Sequence, residues 1–264
     1  MTELVLLSCS VAAGFLGSLL GLGGGIIIVP TLTLIFGVDI RYAIAASLIS
    51  IIATSSGAAA GFLEDRLTNL RLAVLLELGT VAGAMVGFLI ASHIQASVLF
   101  LLFGAFLFLS ALMMLRRREA GVSSTDHPWS SKLKLSQAVD YRIENVPFGL
   151  AAMFGAGILS ALLGIGSGIF KVLAMDSAMK LPMKVSSATS NFMIGVTATA
   201  SAGAFLLRGD VRPEIAAPVS VGILIGSWIG ARAMVKMPAP LIRRIFVVVL
   251  SVVSVQMMLK GWRG

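Results

Sequence analysis

Charge is scarce in this chain. Lys, Arg, Asp and Glu make up 12% of its 264 residues and 58% are hydrophobic, against about 25% charged in soluble domains. Such a chain cannot cover itself with a water-compatible surface, which excludes a soluble enzyme and a disordered protein. Alternating ten-residue barrel strands are also absent. Four uncharged stretches have about the length of a spanning helix: 42–63, 94–115, 146–170 and 185–207. These features predict an all-α polytopic membrane protein.

Metal-binding and redox residues are equally sparse. Cys9 is the only cysteine, so an intrachain disulfide is excluded. The two histidines, His93 and His127, fall at a helix end and in a polar stretch, without a nearby group of Asp, Glu or Cys at metal-ligand spacing. We therefore expect no metal site, no cofactor and no enzymatic activity.

The formal net charge of +8 raises the question of nucleic acid. The basic residues, however, flank apolar runs, as at Arg116–Arg118 and at Arg243 and Arg244. That placement is typical of topology signals and of contacts with anionic lipid. The expected partners are membrane lipid and a small substrate, and not nucleic acid. The first 20 residues carry Glu3 and no basic residue, which favours a retained membrane segment over a cleaved signal peptide.

The chain aligns with itself at an offset of 143 residues without a gap. Identical residues recur in this register along both halves. The pairs are Gly21 and Gly164, Gly23 and Gly166, Gly25 and Gly168, Ser47 and Ser190, Thr54 and Thr197, Gly79 and Gly222, Gly83 and Gly226, Gly87 and Gly230, and Phe103 and Phe246. The sequence thus predicts a membrane repeat at 1–115, a polar cytoplasmic linker at 116–146, and a second membrane repeat at 147–264.

Each half begins with a glycine-interrupted segment, at 4–38 and 147–180, and continues with three apolar helices. We predict these helices near 42–63, 72–92, 94–115, 185–207, 214–235 and 241–260. On either side of the first break, the apolar pieces would be about 25 and 20 Å long, short of the roughly 30 Å hydrocarbon core. The segment is therefore either one broken spanning helix or a hairpin that returns to its own side.

The distribution of basic residues separates these two topologies. With hairpins the repeats are inverted, and thirteen Lys and Arg lie on the cytoplasmic side against five outside. A single broken crossing makes the repeats parallel and divides the charges twelve to six. We therefore predict two inverted repeats, each a glycine-broken helical hairpin plus three transmembrane helices, with both termini outside.

The two breaks have the sequences Gly-Leu-Gly-Gly-Gly at 21–25 and Gly-Ile-Gly-Ser-Gly at 164–168. Irregular backbone survives at membrane depth only where protein or a water-filled cavity surrounds it. The helix that restarts after each break offers free N–H groups and a partial positive charge. We predict an anion site there, formed by Gly23, Gly24, Gly25, Gly166, Ser167 and Gly168. The alternative, that glycine only permits close helix packing, is favoured for 79–87 and 222–230, where the spacing is four.

Polar side chains follow each break. Ser47 in the first half, with Ser190 and Asn191 in the second, are the preferred additional ligands. Any single Ser or Thr can instead bond to its own helix carbonyl. Lys171, three residues after Gly168, is predicted either to supply a positive charge to the anion or to extend toward the cytoplasm. Glu77 is a candidate for proton coupling, with pairing to Arg71 or Arg66 or extension to the surface as the favoured alternative.

The duplicated glycine motifs, with Pro30 after the first, resemble the TauE/SafE sulfite exporter family, also described as sulfonate uptake permeases. The similarity covers nearly the whole chain except the linker. The resemblance implies a carrier of the bacterial or archaeal inner membrane for small sulfur-containing anions, such as sulfite, thiosulfate, sulfoacetate or related organosulfonates. It also implies coupling to the proton gradient. The second copy departs from the motif at Ser167, Lys171 and Leu173.

These observations predict a secondary transporter that works by alternating access. An intramembrane redox enzyme is the alternative from another class, disfavoured because the apolar segments have no pair of haem-ligating histidines and no Ser/His dyad. A non-transporting membrane scaffold is a further alternative, but it would need no duplicated polar breaks.

Overall fold

The computed structural model describes residues 2–18, 24–64, 68–116, 145–181, 183–236 and 239–263. All regular structure among these residues is helical, which confirms the predicted all-α class. The helices are α1 (Thr2–Ser18), α2 (Gly25–Pro30), α3 (Ile40–Glu64), α4 (Leu70–His93), α5 (Ala96–Arg116), α6 (Val146–Leu163), α7 (Gly168–Leu173), α8 (Met183–Arg208), α9 (Pro213–Lys236) and α10 (Ala239–Arg263). The predicted linker lies almost entirely outside the described residues.

Four of the described helices contain a segment long and apolar enough to cross a membrane. These segments are Leu70–His93, Val146–Leu163, Ala188–Arg208 and Pro213–Gly230. The six helices predicted after the two breaks are present, with ends within three residues of the expected positions. The shared register is also visible in the structure, because α2 and α7, like α3 and α8, begin 143 residues apart.

A turn of π-helix follows each short helix, at Thr31–Ile35 after α2 and at Ala174–Ala178 after α7. The sequence analysis did not predict these turns. Proline cannot be their common cause, because Pro30 in the first half corresponds to Leu173 in the second. In the first half, the ammonium group of Lys260 donates a hydrogen bond to the Thr33 carbonyl, so α10 supplies a partner for backbone that the wider turn leaves open.

The segment that contains α6 and α7 returns to the end at which it begins. The side-chain amide of Asn145, just before α6, donates to the carbonyl of Ala178 at 3.3 Å. A Cβ atom placed on Gly149 would lie 2.6 Å from Met179 Sδ. In the first half, a Cβ on Gly24 would lie 3.9 Å from the Cα of Gly14. Ten residues of continuous helix would span about 15 Å, so Gly14 and Gly24 do not lie on one continuous helix.

Helices of the two halves pack closely against each other at glycine residues. Along α4 and α6, a Cβ on Gly83 would lie 2.0 Å from the carbonyl oxygen of Phe154. At the corresponding place on α9 and α1, a Cβ on Gly226 would lie 2.0 Å from the carbonyl oxygen of Val11. Only glycine permits this backbone approach. The interpretation of these spaced glycines as packing positions is therefore confirmed.

The last helices of the two halves, α5 and α10, run in opposite directions where they touch. Gly104 lies beside Ser254, whose hydroxyl donates to the Gly104 carbonyl at 2.8 Å. Earlier on α5, the carbonyl of Ser97 lies beside Gly261, later on α10, at 2.8 Å from a Cβ placed on that glycine. Increasing residue number on one helix therefore meets decreasing residue number on the other.

Candidate functional site

Both breaks contain left-handed backbone immediately before a helix restarts. Gly24, before α2, has φ of 71°, and Ser167, before α7, has φ of 47°. These residues are equivalent in the repeat, so the second half holds serine in a conformation that costs a non-glycine residue about 1 kcal/mol or more. Gly164 and Gly166 are also left-handed, at 66° and 65°. Of the predicted site residues, Gly23 lies outside the described part of the chain.

The two breaks meet in the interior of the protein. A Cβ on Gly25, the first residue of α2, would lie 2.9 Å from the carbonyl oxygen of Gly164 in the other half and 2.8 Å from Ser47 Oγ. The Ser47 hydroxyl, on α3, donates to that same Gly164 carbonyl at 2.7 Å. Residues 139 positions apart in sequence therefore form one polar centre, and position 25 must be glycine because a side chain there would collide with these groups.

The second half supplies equivalent groups on α8. The Ser190 hydroxyl donates to the carbonyl of Gly168, the first residue of α7, at 3.3 Å. Asn191 is adjacent in sequence and 8% exposed, and Ser47 and Ser190 are at most 1% exposed. The structure thus places Ser47 and the start of α2 against Gly164 of the second break, and Ser190 against the start of α7.

At the second break, the hydroxyl of Ser167 is the polar group that most directly suggests a bound ligand. Its side chain is 1% exposed, and its hydroxyl oxygen has no hydrogen-bond partner among the described residues. A buried polar group without a partner costs about 1–3 kcal/mol. Such an atom, beside the N-terminus of a restarting helix, is a group that an anionic ligand would satisfy.

Lys171 and Glu77 meet one turn beyond the second break. The Lys171 ammonium lies 3.6 Å from Glu77 Oε2, and the two side chains are 0% and 7% exposed. Thr197, on α8, lies between them: its hydroxyl accepts a hydrogen bond from Lys171 Nζ and is within hydrogen-bonding distance of Glu77 Oε1. Three elements, α4, α7 and α8, therefore converge on one buried ion pair.

This arrangement corrects two expectations. The alternative in which Lys171 extends toward the surface is wrong, because its side chain is completely buried. The favoured pairing of Glu77 with Arg71 is also wrong, because Glu77 pairs with Lys171. Arg71 is exposed, and the side chain of Arg66 lies outside the described residues.

The sequence analysis missed the pairing and the role of Thr197. A signal was nonetheless present, since a charge in the middle of a membrane segment costs at least about 2.5–3.5 kcal/mol and normally finds a partner. Lys171 and Glu77 are opposite charges of this kind. Thr197 was one of many small hydroxyl residues after the second break, and only the packing of α8 against α4 distinguishes it.

Related proteins place this helical architecture in a functional class. The chain is 28% identical to the probable membrane transporter protein YunE of Bacillus subtilis, over 99% of both chains. It is 28% identical to the probable membrane transporter protein MJ0441 of Methanocaldococcus jannaschii, over 93% of this chain and 91% of that protein. It is 24% identical to the probable membrane transporter protein YfcA of Escherichia coli K12, over 96% and 88%. No solved structure gives a significant match.

The apolar helices, the buried polar breaks and these relatives define a multi-pass membrane transporter, and not an enzyme. Residues 6–257 match the family described as sulfite exporter TauE/SafE. The chain therefore belongs to the TauE/SafE family, as the duplicated glycine motifs predicted.

Proposed function

We propose that this protein is a secondary transporter of small sulfur-containing anions, such as sulfite, thiosulfate, sulfoacetate or related organosulfonates. The proposed mechanism is alternating access coupled to protons. The substrate class comes from the family, whose description names a sulfite exporter. The observation that carries the mechanism is the meeting of the two breaks, with Gly25 against the Gly164 carbonyl.

The proposed binding groups are the backbone N–H groups at the two helix starts, at 23–25 and 166–168. A small oxyanion accepts several hydrogen bonds, and the partial positive charge of a helix N-terminus favours a negative ligand. The hydroxyls of Ser47, Ser167 and Ser190, with the amide of Asn191, add side-chain donors. In the present conformation, Ser47 and Ser190 instead donate to the break carbonyls, so anion binding would exchange these bonds for bonds to the substrate.

Alternating access follows if the repeats are inverted, because opposite tilts of related halves then expose the same site to opposite sides. Two contacts support this arrangement. The return of the α6–α7 segment near Asn145 is what a hairpin in the second half requires, and a half that contains such a hairpin would cross the membrane an odd number of times. The antiparallel packing of α5 against α10 also favours inversion, since equivalent helices of parallel repeats would run in the same direction.

Proton coupling is assigned to Glu77. It is a carboxylate 7% exposed on α4, within a segment apolar enough to span the membrane. A side chain that exchanges a proton there can carry it without leaving a permanent charge in hydrocarbon. Lys171 Nζ lies 3.6 Å from Glu77 Oε2, so a proton taken up by Glu77 would change the charge that Lys171 faces.

The decisive test is ligand-induced thermal stabilisation of the purified protein by sulfite, thiosulfate, sulfoacetate, taurine and sulfate. We expect stabilisation by one or more of the sulfur anions proposed here. Gly25→Ala should abolish it, since the added Cβ would lie 2.5 Å from Ile51 Cδ1 as well as against Ser47. Gly155→Ala is the matched control, because none of the described residues lies within 4 Å of its added Cβ.

If folded Gly25→Ala binds as tightly as the wild type, the site lies elsewhere. If none of the sulfur anions binds the wild type at any pH, the proposed substrate class is wrong.

A further inference from the structure

Few charges lie on the described helices that pack around the Lys171–Glu77 pair. The sequence of α6, which packs along α4, contains no ionisable residue, and α8 carries only Lys184 and Arg208, near its two ends. Asp176, in the π-helical turn after α7, is half-buried and has an interaction of its own. Among the described residues, Glu77 makes its one ion pair with Lys171. Each side chain therefore has the other as its ion-pair partner in the described part of the chain.

The pair is incompletely satisfied. Thr197 has a single hydroxyl proton, but both Glu77 Oε1 and the Met193 carbonyl lie within hydrogen-bonding distance of it. Glu77 Oε2 is buried with no hydrogen-bond partner among the described residues. At 3.6 Å from Lys171 Nζ, it is an ion-pair contact rather than a hydrogen bond. A buried ion pair with missing hydrogen bonds contributes little net stability, so stability alone does not explain it.

The corresponding place in the first half has no charge. The repeat equivalents of Lys171, Glu77 and Thr197 are Ile28, Ser220 and Thr54. There, the hydroxyl of Ser220 lies 3.3 Å from that of Ser50. Each chain therefore has one such charged position beside one of its two breaks, which allows one coupled proton.

We propose that Glu77 and the transported anion compete for the single positive charge of Lys171, so that protonation of Glu77 releases this charge for the substrate. The inference rests on the proposed function and adds a coupling mechanism to it. Lys171 lies three residues beyond Gly168, in the first turn of the helix whose start is proposed to hold the anion. With Glu77 ionised, the pair is closed and buried, as observed here. With Glu77 neutral, an anion replaces its carboxylate as the counter-ion.

The net charge of the site determines how proton binding and anion binding are linked. One proton and one monovalent anion together leave the charge of the site unchanged, so the two ligands bind cooperatively and cross the membrane in the same direction. In the pH range where free protein holds Glu77 ionised, each pH unit of acidification should tighten anion binding about tenfold, as linkage of one proton requires.

The test measures binding of methanesulfonate, a monovalent anion whose charge is constant across the accessible pH range. Wild type should bind more tightly as the pH falls. Over the pH range in which Lys171 keeps its proton, Glu77→Gln should bind with about the affinity that the wild type reaches in acid, and with less than about twofold variation. Lys171→Met should bind weakly at every pH. Glu214→Gln is the matched control, since this carboxylate lies exposed at the start of α9, and it should retain the wild-type pH dependence.

The proposal is overturned if folded Glu77→Gln keeps the wild-type pH dependence, or if Lys171→Met binds as tightly as wild type in acid. Should Lys171→Met fail to fold, the double variant Glu77→Gln/Lys171→Met removes both charges while nearly keeping the volume. It should bind as weakly as expected for Lys171→Met, and tight binding would refute the role of Lys171.

An infrared titration separates this inference from the proposed substrate class. The carboxylic acid band that Glu77→Gln removes reports protonation of Glu77 without any ligand. If no sulfur anion binds the wild type but Lys171→Met changes the pH at which this band appears, the substrate class fails and the charge coupling survives. If Lys171→Met leaves the band's titration unchanged, the coupling itself is wrong.

Discussion

Ser47 on α3 donates a hydrogen bond to the carbonyl of Gly164, 117 residues later, at 2.7 Å. The bond joins a helix of the first half to the break of the second. Because Gly164 is buried and left-handed, its carbonyl depends on a side-chain partner rather than on water. Substitution of Ser47 therefore tests how strongly the two halves are held together at the proposed site.

Ser47→Ala should lower the free energy of unfolding by about 1 kcal/mol, a typical value for an interhelical hydrogen bond in a membrane protein. Ser56→Ala is the control, since its exposed hydroxyl bonds only within its own helix, to Ile52; its effect should stay within about 0.5 kcal/mol. Unfolding in mixed micelles measures both. Equal losses would mean that the Ser47 bond contributes nothing specific.

Ser167→Gly should stabilise the fold by about 1 kcal/mol. It relieves the left-handed conformation of a non-glycine residue and removes a buried hydroxyl without a hydrogen-bond partner among the described residues. If the hydroxyl binds substrate, the same variant should weaken anion affinity. Measuring melting temperature and affinity together separates the two effects; a gain in stability with unchanged affinity would remove Ser167 from the binding site.

Gly83→Ala should destabilise the packing of α4 against α6, at the upper end of the roughly 1–3 kcal/mol typical of overpacking. The reason is that its Cβ would lie 2.0 Å from the Phe154 carbonyl oxygen. Gly203→Ala, on α8, adds the same methyl group at a place where no atom of the described part of the chain lies within 4 Å. Thermal unfolding of the purified variants compares them. If Gly83→Ala is tolerated as well as Gly203→Ala, the close contact between α4 and α6 is contradicted.

Thr197→Val should destabilise the ion pair, because Lys171 and Glu77 lose their shared hydrogen-bonding group. A loss of about 1–3 kcal/mol is expected when buried polar groups are left unsatisfied. Thr199→Val is matched in chemistry, but Thr199 is exposed and its hydroxyl bonds to its own helix. Chemical unfolding at several pH values should show a pH-dependent difference for position 197 alone; parallel profiles for both variants would argue against the bridge.

Membrane topology can be tested with single cysteines in a Cys9→Ala background. Cysteines at Ser124 and at Gly264 should react with impermeant reagents from opposite faces, since inverted repeats place the linker in the cytoplasm and the termini outside. Labelling of intact cells against inside-out vesicles makes the comparison. Reaction of both positions from one face would exclude the inverted arrangement.

Much of this architecture follows from the sequence by itself. The scarcity of charge dictates a membrane protein because hydrocarbon is the only solvent that such a surface fits. The 143-residue register fixes the corresponding helices, since the glycine and hydroxyl spacing repeats with it. The breaks at 21–25 and 164–168 were located by composition, because clustered glycine interrupts an apolar helix. Family membership was likewise predicted from these motifs.

Tertiary structure decided which of the scattered polar residues meet. Lys171 and Glu77 lie 94 positions apart, in different halves of the protein, and meet only because the two halves pack against each other. Sequence spacing therefore suggested nearer partners for Glu77. Thr197 resembles its neighbours in sequence and is distinguished only by the face that α8 presents to α4. The meeting of Gly25 with Gly164 has the same origin. In a membrane, a buried polar group takes the partner that packing provides, because water is absent and cannot substitute for it.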